Sequence, residues 1–219
     1  MTNIHLNLTI RLNYLIGLLD ISSQQSYEKI KGHKILDEFD NVGEIYNNQY
    51  SIYRNQITTS AFLLGYAYFE AFLSDLIIIC LTKNPKILIP EGKTQIKDKT
   101  ITYNQLLLAE GYDQLIKELI EKEVRNIMYK SMSEILEYLD RKLKLTWDKS
   151  LNSEIIVAKK IRNCCMHNNC LADKGLAKDP RFTEGVEIEL TSGSVHSFGL
   201  KARQFSRELW ESAKIKYPT

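Results

Sequence analysis

The sequence predicts an all-α protein, an up-and-down helical bundle with a small β-hairpin and a final helix at its C-terminal end. Three observations predict this. Apolar residues recur at spacings of three and four over long windows, the helical period. Proline and glycine are scarce, 4 and 10 among 219 residues, so few positions interrupt a helix. Alternation of apolar and polar residues occurs only late, at Val186, Ile188 and Leu190 against Glu187 and Glu189. The length fits a single domain over 1–219, with a helical core at about 48–172, a hairpin at 185–199 and a closing helix at 200–216.

In chain order, Leu8, Leu12, Leu15, Leu18 and Leu19 predict a first helix over about 6–38, continuous or broken near Gly32, and punctuated by Asp40-Asn41-Val42-Gly43. A second helix is expected from about Asn48 to Thr82, with Ile57, Ala61, Leu64, Tyr68, Phe72 and Leu76 on one face. Leu63, Ala67 and Ala71 widen that face, which makes the helix central. Asn84-Pro85 should end it, because proline restricts the residue before it and lacks the amide that would continue the ladder. After a polar connector to Thr100, Thr102 is placed to cap a short helix ending near Gly111. Leu115, Leu119, Ile120, Val124, Ile127, Ile135, Leu136 and Leu139 predict one long amphipathic helix from Tyr112 to about Leu145. Asp148 or Ser150 is positioned to start the next, which carries Ile155, Ile156, Ala158 and Ile161. Thr191-Ser192-Gly193-Ser194 reads as the hairpin turn and 195–198 as its second strand. Phe205, Leu209 and Trp210 face inward from the last helix.

Composition is that of a soluble globular protein, 44% hydrophobic and 26% charged. The net charge of +2 hides an asymmetry. Residues 1–155 hold 18 Lys/Arg against 20 Asp/Glu, and 156–219 hold 11 against 7, so the basic excess lies in the last third. The start Met1-Thr2-Asn3-Ile4-His5 has no basic and apolar leader pattern, which points to a cytoplasmic protein whose four cysteines are free thiols. The most apolar window, 60–81, carries Glu70 and Asp75, costly in a bilayer, so it reads as a buried helix and no membrane association is expected.

The chemistry concentrates in Val157-Ala158-Lys159-Lys160-Ile161-Arg162-Asn163-Cys164-Cys165-Met166-His167-Asn168-Asn169. A histidine titrates near neutral pH and exchanges a proton there. An arginine stays charged, and its planar fork matches phosphate oxygens. Asn163 and His167, four apart, share a helix face, whereas Arg162 and His167, five apart, stand about 140° around an ideal helix. The angle closes through the long Arg side chain, through unwinding just after Met166, or through a site shared by two chains across a two-fold axis.

This segment resembles the HEPN superfamily of small helical domains, whose hallmark is an Arg, four to six residues, then a His, often with a polar residue directly after the Arg. Here these are Arg162, Asn163 and His167. The helix reading Tyr66-Ala67-Tyr68-Phe69-Glu70-Ala71-Phe72-Leu73-Ser74-Asp75-Leu76 is similar to one typical of the same family, and the resemblance spans about 48–169. It implies a bundle of four or five helices, a homodimer with a composite active site, and metal-independent endoribonuclease chemistry in a toxin or antiviral-defence setting. It implies no cofactor, and it implies RNA as substrate, with an antitoxin or defence-system protein as a further partner. Arg162 would bind the scissile phosphate and stabilise its charge, and His167 would be general acid or base. Asn163 would orient His167 or the phosphate. Glu70 would hold Arg162 or His167, Asn168 would support them, and Lys159 and Lys160 would contact the substrate backbone. The products would be a 2′,3′-cyclic phosphate and a 5′-hydroxyl.

Other readings of the same residues stay open. Arg162 and His167 also suit a helix C-terminus, where cations meet exposed carbonyls. Some members of the family dimerise or bind nucleotides or proteins without cutting. Cys164, Cys165, His167 and Cys170, with Cys80 as a further candidate ligand, raise a zinc alternative, but the local four crowd together too closely for the separated hooks of structural zinc, and the thiols read better as small buried hydrophobes. His5, His33 and His196 stand alone. Arg54-Asn55 and Arg125-Asn126 lack a following His and read as surface, as does the Lys/Glu run of 117–149.

Overall fold

The structure is a computed structural model that describes residues 42–89 and 111–218. The helix expected over 6–38 and the one expected between Thr102 and Gly111 lie outside the described residues. Five α-helices form within them: α1 Val42–Lys83, α2 Tyr112–Met128, α3 Met132–Glu137, α4 Asn152–His167 and α5 Ser192–Lys216. The described residues are mostly helical, as the sequence predicts.

α1 is the central element and packs on α2, α4 and α5. Phe62, Tyr66, Phe69, Leu73, Leu76, Ile77 and Cys80 recur at three and four along it and are all buried. The buried stripe is therefore rotated from the expected face: of that face Phe72 and Leu76 are buried, whereas Ile57, Leu64, Ala67 and Ala71 are exposed, because the larger aromatic side chains take the core. Each large apolar side chain withdrawn from water stabilises the fold by about 1.5–3 kcal/mol. Asn55–Lys83 is long and apolar enough to cross a membrane by length and composition alone, but its most apolar stripe forms the protein's own core. The helix stops where Asn84 leaves helical geometry, at φ −138° and ψ 78°, before Pro85, which opens a short 3-10 turn, Pro85–Leu88.

The single helix expected over 112–145 is in fact broken. α2 ends at Met128, and Ser131, extended at φ −60° and ψ 155°, starts α3 with a reciprocal cap. The Glu134 amide donates to Ser131 Oγ at 3.3 Å, and the Ser131 amide donates to Glu134 Oε2 at 3.0 Å. Past α3 the chain widens into a π-helical turn, Tyr138–Lys142, that seats Leu139, Leu143 and Leu145 in the core. The apolar phase survives the break, which is why periodicity alone runs straight through it.

The expected hairpin does not form, and residues 195–198 are helical. Thr191-Ser192-Gly193-Ser194 is a helix start rather than a turn. The Ser194 amide donates to Thr191 Oγ1 at 3.1 Å, and the Thr191 amide donates to Ser194 Oγ at 2.9 Å. α5 therefore begins at Ser192, eight residues before the expected position. The alternating segment does pair, but backwards, onto the chain leaving α4. Leu171 and Glu187 form an isolated antiparallel bridge, and the Ile188 amide donates to the Cys170 carbonyl at 2.8 Å. Ile188 and Leu190 point inward, as their alternation predicts, but Val186, expected on the same face, is exposed. Phe198 and Phe205 on α5 then lie against Phe62, Tyr66, Phe69 and Trp147, with ring centroids 5.2–6.2 Å apart.

Candidate active site

α4 is launched by the 3-10 turn Lys149–Leu151, where Asp148 accepts the Ser150 amide at 2.9 Å. Ile155, Ala158, Ile161 and Cys164 form its buried stripe, which leaves Lys159, Arg162 and Asn163 along an edge facing α1 and the end of α2. α4 remains helical through His167, so Arg162 and His167 keep their five-residue offset; no unwinding after Met166 brings them closer. The helix stops at Asn168. Its amide donates to the Cys164 carbonyl at 2.8 Å, and its side chain donates to the Leu171 carbonyl at 2.8 Å. Asn169 and Cys170 follow in the left-handed region, at φ 48° and 58°.

One carboxylate organises the cations. Glu70 Oε2 lies 3.6 Å from Arg162 Nη2, and Glu70 Oε1 lies 3.7 Å from Lys159 Nζ. Arg162 Nη1 also donates to Asn163 Oδ1 at 3.1 Å, so in this structure Asn163 orients the arginine. Lys159 is nearly enclosed. Burial pulls its ammonium below the ordinary lysine range, Glu70 opposes that, and Nζ donates to the Met128 carbonyl at 3.3 Å. Lys160 is committed elsewhere, donating to the Gly175 carbonyl at 2.8 Å. One turn before Glu70 on α1, the Tyr66 hydroxyl is fully buried without a hydrogen-bond partner. Burial first, and the Glu70 charge second, push its phenol above the ordinary range.

His167, exposed at the tip of α4, lines the same groove as Arg162, Asn163, Asn168 and Glu70. The groove encloses about 1120 Å³ between α1, the α2–α3 break and α4. Its lining includes the cations Arg125, Lys130, Lys159, Lys160 and Arg162 against the carboxylates Glu70 and Asp173, a positive balance suited to an anion. The sequence pattern places Arg125 and Lys130 on solvated surface. They reach the groove because the chain breaks at 129–131, and the only sequence signal for that break is Ser131 followed three residues later by Glu134.

Burial raises the thiols of Cys164 and Cys165, so both stay protonated and make poor nucleophiles. Among the described residues, no group of three or more His, Cys, Asp or Glu side chains is arranged to hold a metal ion. Compared with known proteins, the chain matches no family model, no curated protein and no solved structure.

Proposed function

We propose that this groove is the active site of a metal-independent endoribonuclease of HEPN type. The observation that carries the reading is that Arg162, Asn163 and His167 line one groove with a cationic excess. Arg162 binds the scissile phosphate, with Glu70 and Asn163 fixing its guanidinium. The ribose 2′-oxygen forms the new bond to phosphorus as the bond to the 5′-oxygen breaks. One imidazole takes the 2′-OH proton, and a protonated one supplies the proton that leaves with the 5′-oxygen. The products are a 2′,3′-cyclic phosphate and a 5′-hydroxyl.

Two imidazole roles and, among the described residues, one groove histidine favour a homodimer with a composite site, in which each chain supplies one His167. A surface suited to such pairing runs along α1. Ile57, Ser60, Leu64, Ala67 and Ala71 form an exposed, mostly apolar or small stripe that ends at the groove. The biological setting we infer is a cytoplasmic toxin or antiviral-defence effector restrained by a partner protein.

The test is cleavage of total RNA in EDTA. Cleavage that persists in chelator, leaves cyclic phosphate ends and falls at least about 100-fold in His167→Ala supports the reading; activity indifferent to His167→Ala overturns it. A second reading is a binding module that does not cut. Engagement of Arg162 by Glu70 and Asn163 favours it, since the guanidinium already has partners. RNA binding and dimerisation without cleavage in the wild type would select this alternative.

A further inference from the structure

The α2–α3 break places an aromatic ring where neither the fold nor the proposed chemistry uses it. Tyr129, the residue after α2, is 86% exposed, so its ring adds almost nothing to the core. It nevertheless lines the groove that holds Arg162 and His167, and among the described lining residues it is the only Phe, Tyr or Trp. Arg125 lies one turn earlier on the same edge of α2 and also faces the groove. Lys130, next in the chain, is tethered to Glu134 at 3.8 Å.

We propose that Tyr129 is a stacking platform for an unpaired base and that Arg125 holds a flanking phosphate, so the groove takes single-stranded rather than duplex RNA. The inference rests on the nuclease reading for its substrate class. Every base has a π-face, so an exposed ring in a cationic groove binds unpaired nucleotides with little regard to sequence. A duplex keeps its bases stacked on one another and cannot offer a face to Tyr129. The platform stands across the groove from the α4 residues, so it would position the strand while Arg162 holds the scissile phosphate.

The test measures binding of the full chain to fluorescent 2′-O-methyl oligonucleotides of about 12 nucleotides, a length within the usual span of single-strand sites. These cannot be cut through the 2′-oxygen. The single strand should bind more tightly than its duplex and more tightly than an abasic sugar-phosphate chain of equal length. Tyr129→Ala should weaken single-strand binding about 5- to 100-fold, while Tyr129→Phe stays near wild type. Arg125→Gln should lower the salt dependence by about one phosphate contact.

Single-strand binding unchanged in Tyr129→Ala, equal binding of the abasic chain or the duplex, or no binding at all would overturn the platform. The two proposals fail separately. Cleavage abolished by His167→Ala with binding indifferent to Tyr129→Ala removes the platform and leaves the nuclease. Binding lost in Tyr129→Ala by a wild type that never cuts RNA removes the nuclease and leaves the platform.

Discussion

Glu70 bridges Lys159 and Arg162, with its two oxygens 3.7 and 3.6 Å from their nitrogens. The three side chains together carry one net positive charge. Replacing Glu70 by Gln raises that to two and removes the anchor that sets the guanidinium's direction. Attraction for phosphate should therefore survive while orientation suffers. For RNA cleavage, Glu70→Gln is expected to lower kcat about 10- to 100-fold with KM unchanged or reduced. A rise in KM at constant kcat would mean that Glu70 contacts substrate and does not position Arg162.

The same carboxylate is also structural. Lys159 is nearly buried, and Glu70 is the charge that compensates it most directly. Glu70→Ala should destabilise the protein by about 1–3 kcal/mol in urea titrations. Adding Lys159→Met should recover much of that loss, because the orphaned buried charge goes with it. If the double variant is no more stable than Glu70→Ala alone, the pair is not coupled.

The break between α2 and α3 depends on the reciprocal cap of Ser131 and Glu134. Hydrogen bonds from Ser131 hold the Glu134 carboxyl below its usual range. Ser131→Ala should cost about 1 kcal/mol in thermal or denaturant unfolding. It should also loosen the turn that carries Tyr129 and Lys130, so weaker oligonucleotide binding should accompany the lost stability. Ser131→Asp, which keeps a capping oxygen, should retain most of both.

What the sequence made legible follows from which interactions are local. The helical run of α1 and its stop at Asn84-Pro85 depend on residues a few positions apart, and both are visible in the pattern. Which side of α1 is buried is not, because apolar residues surround the helix; the core takes Phe62, Tyr66, Phe69 and Leu73 and leaves Ile57, Leu64 and Ala67 exposed. Two further features misled it. Thr191-Ser192-Gly193-Ser194 has turn chemistry and capping chemistry at once, and only the helical spacing of Val195, Ala202, Phe205 and Leu209 separates the two. Ile127 and Ile135 keep helical phase across the α2–α3 break, so the apolar period hides it. The Arg162-Asn163-His167 cluster is contained in one helix and can be read from the chain. Outside 156–173, the groove's lining comes from Glu70, Ala71 and Ser74 on α1 and from Arg125 and 128–133 around the α2–α3 break, all distant in sequence, and needs the fold to bring it there.

Phe198 tests the corrected C-terminal region. Its ring lies 5.2 Å from Phe62, 5.8 Å from Tyr66 and 6.2 Å from Phe69, fastening the first turns of α5 to the central helix. Phe198→Ala should cost about 2–4 kcal/mol, at or a little below the usual range for a core phenylalanine because the side chain is only partly buried. The loss should appear in chemical denaturation with little change in helical circular dichroism at low denaturant. An effect under about 0.5 kcal/mol, typical of surface positions, would contradict this docking.

The loop after α4 should be sensitive to acid. Asp179 Oδ1 accepts from the Arg181 amide at 3.0 Å and from Nε at 2.9 Å, and Oδ2 accepts from Nη2 at 2.8 Å. Arg181 also reaches Glu154 on α4, which in turn pairs with Lys201 on α5 at 3.3 Å, so this small network ties the loop to two helices. The hydrogen bonds from Arg181 hold the Asp179 carboxyl at about 2. An unfolded aspartate titrates near 3.9. The depressed value means that the folded state favours the carboxylate. The resulting stability is fully present above about pH 5 and is lost as pH falls toward 2. Asp179→Asn removes the titration. Its Tm should therefore lie below that of the wild type at pH 6, and the gap should close by about 2–4 °C on acidification to pH 2, a modest effect because the pair is partly open to water. A gap that stays constant across that range would show that Asp179 contributes through packing or neutral hydrogen bonds rather than through its charge.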